Sequence, residues 1–263
     1  MKTLPFIKMI VTTLLIFIST LLLACDCIKP KLIERINSAD FIATVVIHAI
    51  RPDNSVPGYA RIEFDLITLF KGKHTKDLQL YSLATSDCAF SANMLTKWLI
   101  FARYNTTGHL CFDVCSFPEQ LDRKMDSIHN PNAQRNYNRS LELEINFLNY
   151  LKEKKLSPKN VYQISSRFNK NAMQQFRGID PPKERFAIYK IWVNQNVTVK
   201  KIKAIKEFSN KHLSEALLTY ITDNIMLTQI DQLAKIPKET EICIALFFYP
   251  AEDGFPSFIS EYD

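Results

Sequence analysis

The side chains best suited to chemistry in this sequence are two cysteines near its start, Cys25 and Cys27, in the stretch LLLACDC. An apolar run that ends in Leu-Leu-Ala before Cys25 is typical of a bacterial lipoprotein signal, in which the Cys25 thiol carries the lipid. An unmodified mature chain starting at Cys25 would instead offer a free α-amine, which with a pKa of about 7.7 to 8 loses a proton readily on meeting a metal ion. The two interpretations exclude each other, because lipidation uses the sulfur and acylation of the amine removes its lone pair.

Residues 1–24 have the composition of an export signal. Lys2 and Lys8 give a positive start, and residues 9–23 carry no charge. This apolar run is about 15 residues long, shorter than the roughly 20 that a membrane-spanning helix needs. We therefore expect an exported chain. It would be held in the bacterial cell envelope, on the periplasmic or the outer side, if Cys25 carries a lipid, and secreted otherwise.

Composition and motifs exclude several classes of function. The net charge is +6, and removal of the two signal lysines lowers it by two, which is too mild to require a nucleic-acid partner. The five glycines are isolated, so neither a phosphate loop nor a dinucleotide fingerprint can form. Nucleophile motifs and a His-Glu-x-x-His pair are also missing from the sequence. We predict a non-enzymatic protein with no cofactor and no intrinsic metal site, with an unrecognised hydrolase as the enzymatic alternative.

Five segments in the first half of the chain have the composition of short strands. In one of them the apolar residues Ile62, Phe64 and Leu66 alternate with charged residues. Turn residues such as Gly58 and Gly108 lie in the gaps. The pattern predicts a five-stranded antiparallel barrel made of residues 39–50, 59–70, 77–84, 97–104 and 110–117.

The remaining sequence predicts helices and further strands. A polar stretch at 121–138 predicts a loop, and the helix after it has Leu141, Ile145 and Leu148 on one stripe, expected to pack on the end of the barrel. Beyond it, the order ββαβ is predicted from two strands at 185–205 with a tight turn at 194–196, a helix at about 211–224 and a strand at 240–250. In this helix Leu213, Leu217 and Tyr220 or Ile221 are expected to face inward. The lysine-rich strand VKKIKAIK at 199–206 is interpreted as one solvated strand face, with contact to anionic lipid or glycan as the alternative.

The cysteines and the strands around them resemble a known family. In their order they are similar to the tissue inhibitors of metalloproteinases and the wider netrin-like modules, through CDC, ADFIATVVIHAI, LFKGK, SDCAF, KWLIFARY and DVCSF. The resemblance covers about residues 25–150. It implies an OB-type barrel whose N-terminal Cys-x-Cys is held on the barrel face by two disulfides.

Six cysteines in an exported chain favour disulfides over a structural zinc site. The resemblance implies two bridges, Cys25–Cys88 and Cys27–Cys115. Cys111 and Cys243 would then be left over. If Cys25 carries a lipid, five thiols remain, and the alternative set is Cys27–Cys115 and Cys88–Cys111 with Cys243 as a buried free thiol.

The resemblance also implies a contact ridge made of Cys25, Asp26 and Cys27. In that family the free α-amine and carbonyl of the first cysteine chelate the catalytic zinc of a metalloprotease, and the second residue enters its specificity pocket. Asp26 departs from this pattern, because a carboxylate in an apolar pocket beside an acidic catalytic base is costly unless it is paired.

Residues 180–250 resemble the C-terminal domain of TonB-type envelope proteins, through YKIWVNQNVTVKKIK, a helix and EICIALFFYP. The resemblance implies a protein-interaction domain. The glycine usual in its first hairpin is replaced here by Asn194-Gln195-Asn196, and asparagine tolerates the same backbone conformation.

Together these observations predict a mainly β plus α+β fold in three parts. They are a signal peptide at 1–24, a netrin-like five-stranded OB-type barrel with a packed helix at 25–156, and a small ββαβ module at 157–263. The leading function is protein binding at the cell envelope, with inhibition of a zinc metalloprotease as its most specific form. The alternative is a structural lipoprotein whose C-terminal module recruits a protein partner without inhibiting it.

Overall fold

A computed structural model of the chain describes residues 27–53, 56–82, 89–126, 128–169, 172–229, 235–252 and 254–261. The predicted signal peptide and Cys25, Asp26 and Cys88 lie outside these residues. Among the helices in these ranges, none is long and apolar enough to cross a membrane.

The described residues contain three α-helices and twelve strands. Its first part contains α1 (Leu32–Ser38), β1 (Phe41–Pro52), β2 (Tyr59–Lys71), β3 (Gln79–Tyr81), β4 (Thr96–Tyr104), β5 (Leu110–Phe112) and β6 (Glu119–Gln120). Its second part contains α2 (Ala133–Glu153), β7 (Ile164–Arg167), β8 (Phe186–Val193), β9 (Val199–Lys206), α3 (Lys211–Asn224), β10 (Met226–Gln229), β11 (Thr240–Tyr249) and β12 (Phe258–Ser260). There are also two 3-10 turns among the described residues. Val114–Ser116 lies between β5 and β6, and Ala172–Phe176 lies between β7 and β8.

Packing divides the chain into two compact units. The barrel unit comprises the described residues of Met1–Lys29, Ala43–Leu69 and Lys73–Asp122. The second unit comprises those of Pro30–Ile42, Phe70–Gly72 and Arg123–Asp263. This division differs from the predicted boundary near residue 157, because α1 and α2 pack within the second unit.

The first sheet closes into the expected five-stranded barrel. Its strand order is β1-β2-β3-β5-β4, a further β1–β4 pairing completes the ring, and β6 adds to β4. The expectation that all strands are antiparallel is wrong at one pair, because β3 and β5 run parallel, with Gln79 opposite Cys111. A closed ring of five strands cannot alternate direction throughout, since five is odd, so at least one neighbouring pair must be parallel.

Strand β2 shows why this sequence folds as a barrel wall. Ile62 is buried and Phe64 and Leu66 are half-buried, whereas Arg61 and Glu63 are exposed. Successive side chains on a strand point to opposite faces, so the alternation in sequence becomes one inner and one outer face. The predicted pattern of this strand is confirmed.

The Lys-Gly pair of the LFKGK stretch lies at the end of β2 and contacts residues in and next to α1. Lys71 Nζ donates to the carbonyl of Ile36 at 2.8 Å. Burial lowers the pKa of this lysine. Gly72 has φ +93°, and a Cβ there would lie 2.6 Å from the carbonyl oxygen of Asp40. A side chain at position 72 would therefore collide with the backbone as well as strain its own.

The second unit contains the predicted ββαβ order, made of β8, β9, α3 and β11. Its sheet has the order β12-β11-β8-β9, so β9 lies at one edge. The inward stripe of α3 is confirmed, because four apolar residues on it are buried: Leu213, Leu217, Tyr220 and Ile221. Helix α1, strand β12 and the two-stranded sheet of β7 and β10 are not predicted by the sequence patterns.

Helix α2 packs on the sheet of the second unit. It begins at Ala133, so the loop predicted at 121–138 ends earlier than expected. Its Phe147 is fully buried and meets Phe186 and Phe247 edge to face, at centroid distances of 5.1 Å and 5.2 Å. Aromatic contacts of this kind add to the stabilisation from apolar burial.

The turn of the β8–β9 hairpin differs from the expectation that an asparagine takes the place of the usual glycine. The left-handed residue is Val197, with φ +58°, rather than one of the asparagines. Asn194 acts through its side chain instead, since its Oδ1 accepts from the backbone N–H groups of Asn196 and Thr198, both at 3.0 Å. The side-chain hydrogen bonds therefore hold the turn while a β-branched residue takes the strained conformation.

A buried ion pair links α1 to α2. Arg35 Nη1 lies 2.9 Å from Glu144 Oε1, and the two side chains are 3% and 0% exposed. Either charge alone would be strongly destabilising in this position, because burial removes its hydration.

We expect the two members of this pair to depend on one another. Arg35→Met or Glu144→Leu alone should lower the free energy of unfolding by about 3 to 5 kcal/mol, whereas the double variant should recover most of that loss. Urea denaturation of each purified chain measures the effect. The exposed pair Lys200–Glu239, at 2.8 Å, is the matched control and should contribute less than about 1 kcal/mol. A double variant as unstable as the sum of the single ones would contradict the expectation.

Candidate functional site

The described chain begins at a covalent attachment to the barrel. Cys27 forms a disulfide with Cys115, with the two Cα atoms 5.4 Å apart and a sequence separation of 88. This is one of the two bridges that the family resemblance implies. By the chain-entropy account, closing a loop of this length stabilises the fold by roughly 4 to 5 kcal/mol.

A tight 3-10 turn holds Cys115 in place. Asp113 Oδ1 accepts hydrogen bonds from the backbone N–H and the hydroxyl of Ser116, both at 2.7 Å. Phe117 follows in the left-handed conformation, with φ +51°. The turn therefore fixes the position of the disulfide on the barrel unit.

A second attachment follows two residues after the disulfide. Lys29 Nζ lies 2.7 Å from Glu119 Oε1, and Glu119 belongs to β6, where it pairs with Leu99 of β4. Ile28 lies between the two attachments and is 86% exposed. We call residues 27–29 the tethered segment. It presents an apolar side chain to solvent between a disulfide and a side-chain ion pair.

Such a segment is suited to binding another protein. A large exposed apolar side chain has free energy to gain from burial in a partner. A backbone already held in place loses little conformational entropy when the partner binds. The arrangement therefore has the properties of a preorganised contact.

Of the predicted site residues, the structure brings Cys27 and Cys115 together. Cys111, which the sequence analysis kept as a disulfide candidate, is a buried free thiol on β5. Cys243 is also free, but it is half-buried rather than fully buried as expected. Burial raises the pKa of both thiols.

The described residues contain no group of three or more His, Cys, Asp or Glu side chains that could hold a metal ion. Three histidines each contact one carboxylate: His48 with Asp65 at 2.8 Å, His109 with Asp77 at 3.3 Å, and His129 with Asp126 at 2.5 Å. At the last of these pairs, the hydrogen bond from His129 lowers the pKa of Asp126.

Comparison with models of known protein families finds no match to this chain, and comparison with curated proteins finds none either.

Sequence reasoning missed the second attachment and the exposed isoleucine. The residue type of Ile28 suggests a core position, whereas the structure leaves its side chain 86% exposed. The place of Ile28 directly after the Cys-x-Cys was the available signal. Glu119 gave no signal, because the Lys29–Glu119 pair spans 90 residues of sequence.

We expect Cys111 to be unreactive in the folded protein. Burial raises its pKa to about 11, with a further contribution from the charge of Asp113. At pH 8 about one chain in a thousand would then carry the thiolate, against about a quarter for an ordinary thiol. Treatment with iodoacetamide at pH 8, followed by peptide mass spectrometry, should show alkylation of Cys111 only when guanidinium is present. Equal alkylation of the native protein, or recovery of Cys111 in a disulfide, would contradict this.

Proposed function

We propose that this chain is an exported, non-enzymatic protein of the bacterial cell envelope that binds another protein through the tethered segment. The observation that carries the proposal is the 86% exposure of Ile28 between the Cys27–Cys115 disulfide and the Lys29–Glu119 ion pair. The closed five-stranded barrel supports it, since it is the architecture that the resemblance to metalloproteinase inhibitors implies.

The most specific form of the proposal is inhibition of a zinc metalloprotease. In this form the α-amine and carbonyl of Cys25 bind the zinc of the protease, and residues 26–28 lie along its substrate groove. The role of Cys115 is to hold the segment rigid, which lowers the entropy lost on binding. The mechanism requires a free α-amine, because an acylated amine has no lone pair for the metal.

Asp26 then determines which protease would fit. A carboxylate entering an apolar pocket loses its hydration without compensation, whereas a pocket containing an arginine or lysine would pair with it. We therefore propose a protease whose specificity pocket is basic.

A second candidate function is supported by the edge strand β9. An edge strand offers unpaired backbone groups to an added strand of a partner. On this strand Lys200, Lys201 and Lys203 are exposed, which discourages unselective pairing and favours an acidic partner segment. In this alternative Cys25 carries a lipid, and the second unit recruits the partner without inhibiting it.

The inhibitory form is tested with mature protein whose intact mass shows an unmodified Cys25. Addition of one alanine before Cys25 should abolish inhibition of zinc proteases with basic specificity pockets, because it moves the α-amine away from the metal. Ile28→Asp should weaken inhibition at least tenfold. Ile67→Asp, at a residue of β2 that is 51% exposed, is the matched control and should leave inhibition unchanged. Inhibition that survives the added alanine would exclude the chelation mechanism.

The two candidate functions predict different contact sites on the whole protein. With a photoreactive amino acid at position 28 or at position 203, the inhibitory form should crosslink its partner from position 28 only. The scaffold alternative should crosslink from position 203 only. Mass spectrometry of the crosslinked peptides identifies the site. Crosslinks from position 203 alone, on a chain with a lipid at Cys25, would overturn the inhibitory proposal.

A further inference from the structure

The second unit contains a cleft of about 240 Å³ at the C-terminal end of α2. Its lining comes from the end of α1, the start of β1, the end of β2 and the segment from α2 to Pro158. Buried apolar side chains form its floor: Ile36, Ile42, Leu148, Leu151 and Pro158. An apolar group placed in the cleft would therefore touch the packed interior of the unit.

The polar part of the lining is basic. Lys71, Lys152 and Lys155 line the cleft, and no carboxylate lines it among the residues that the structure describes. The side chains of Lys152 and Lys155 are exposed, so they can reach a ligand from solvent. Neither of them has an ion-pair partner within the described ranges. The cleft thus combines an apolar floor with cations that are available to an anion.

Lys71 is the half-buried member of this group. It donates one N–H to the carbonyl of Ile36 at 2.8 Å, whereas an ammonium group has three N–H donors. Burial lowers the pKa of Lys71, and the charge of the exposed Asp40 offsets this only in part. An anion in the cleft would accept a further hydrogen bond from this ammonium group and stabilise its charge.

Lys155 occupies a backbone position that usually belongs to glycine. Its φ is +52°, its N–H donates to the carbonyl of Lys152 at 3.1 Å, and Leu156 N–H donates to the carbonyl of Leu151 at 2.8 Å. These hydrogen bonds end α2 in a Schellman motif, in which glycine is the usual left-handed residue because it has no Cβ. A lysine here costs stability, which points to a use for its side chain.

The size of the cleft restricts the shape of a ligand. Sites that enclose a drug-sized molecule have volumes of about 300 to 1,000 Å³. The smaller volume here has room for a slim apolar chain, whose polar end would remain at the lysines. Because lysine acts as a point charge, it pairs with a carboxylate or a phosphate without a demand for two parallel acceptors.

We propose that this cleft binds an unbranched apolar chain with an anionic head. The head lies at Lys71, Lys152 and Lys155, and the chain lies against the buried floor. Two sources have this chemistry, a free fatty acid with its carboxylate and a single-chain lipid with its phosphate. The site uses only residues of the second unit, so it depends neither on the tethered segment nor on the edge of β9.

The first test is isothermal titration calorimetry of the full mature chain with octanoate. The uncharged analogue octanamide should bind at least tenfold more weakly, because it cannot pair with the lysines. Hexanoate should bind more weakly than octanoate by about fourfold for each methylene group removed, since less apolar surface is buried. No binding of octanoate, or binding no tighter than that of octanamide or hexanoate, would overturn the proposal.

Lys155→Gly separates binding from stability. Glycine relieves the left-handed strain, so this variant should unfold at a higher urea concentration while its affinity for octanoate falls at least threefold. Lys152→Gln should also lose at least threefold. Lys154→Gln is the matched control, since it changes the neighbouring exposed lysine, which does not line the cleft, and should leave the affinity unchanged. An unchanged affinity in Lys155→Gly, or equal losses in Lys154→Gln and Lys155→Gly, would overturn the proposal.

The source of the ligand follows from a second probe, octyl phosphate, which has the same chain and a different head. Both probes are used below the concentration at which they form micelles. Tighter binding of octyl phosphate assigns the cleft to single-chain phosphate lipids, and tighter binding of octanoate assigns it to fatty acids. Lys155→Gly should weaken binding of both probes, and an effect on neither would overturn the proposal.

Discussion

The ion pair between Arg35 and Glu144 constrains the second unit, because two charges are buried there and neither could remain buried without the other. The pair joins the short helix α1 to the long helix α2 across 109 residues of sequence. Lys71 adds a hydrogen bond to the last turn of α1, at Ile36. A seven-residue helix has little stability of its own, so it depends on contacts with the rest of the unit, which include these two and the burial of Leu32, Ile33 and Ile36.

The ion pairs of this protein differ in how far they are buried. Arg35 and Glu144 are 3% and 0% exposed, so the loss of either partner leaves an unhydrated charge in the core. Lys29 and Glu119 are 33% and 13% exposed, so their pair is easier to break. The tethered segment is therefore held mainly by the Cys27–Cys115 disulfide.

Local patterns predicted what local forces determine. The alternation in β2 and the apolar stripe of α3 were correct, since each reflects which side of an element faces the core. The partner of α2 was not predictable, because an amphipathic stripe does not specify the sheet that covers it. The left-handed Val197 was not predicted, because the side chain of Asn194 holds the turn in a conformation that valine disfavours. A closed ring of five strands requires one parallel pair, but the strand number does not identify it as β3–β5.

The disulfide at Cys27 also limits how far the barrel could stand from a membrane. Two residues of fully extended chain span at most about 7 Å. A lipid on Cys25 would therefore leave almost no linker between the bilayer surface and Cys27, which is bonded to Cys115. The exposed side chain of Ile28 would then enter the headgroup layer instead of a protein groove. In the lipid-anchored alternative the tethered segment would thus face lipid, whereas in the inhibitory proposal it faces a protein, with the same fold in both.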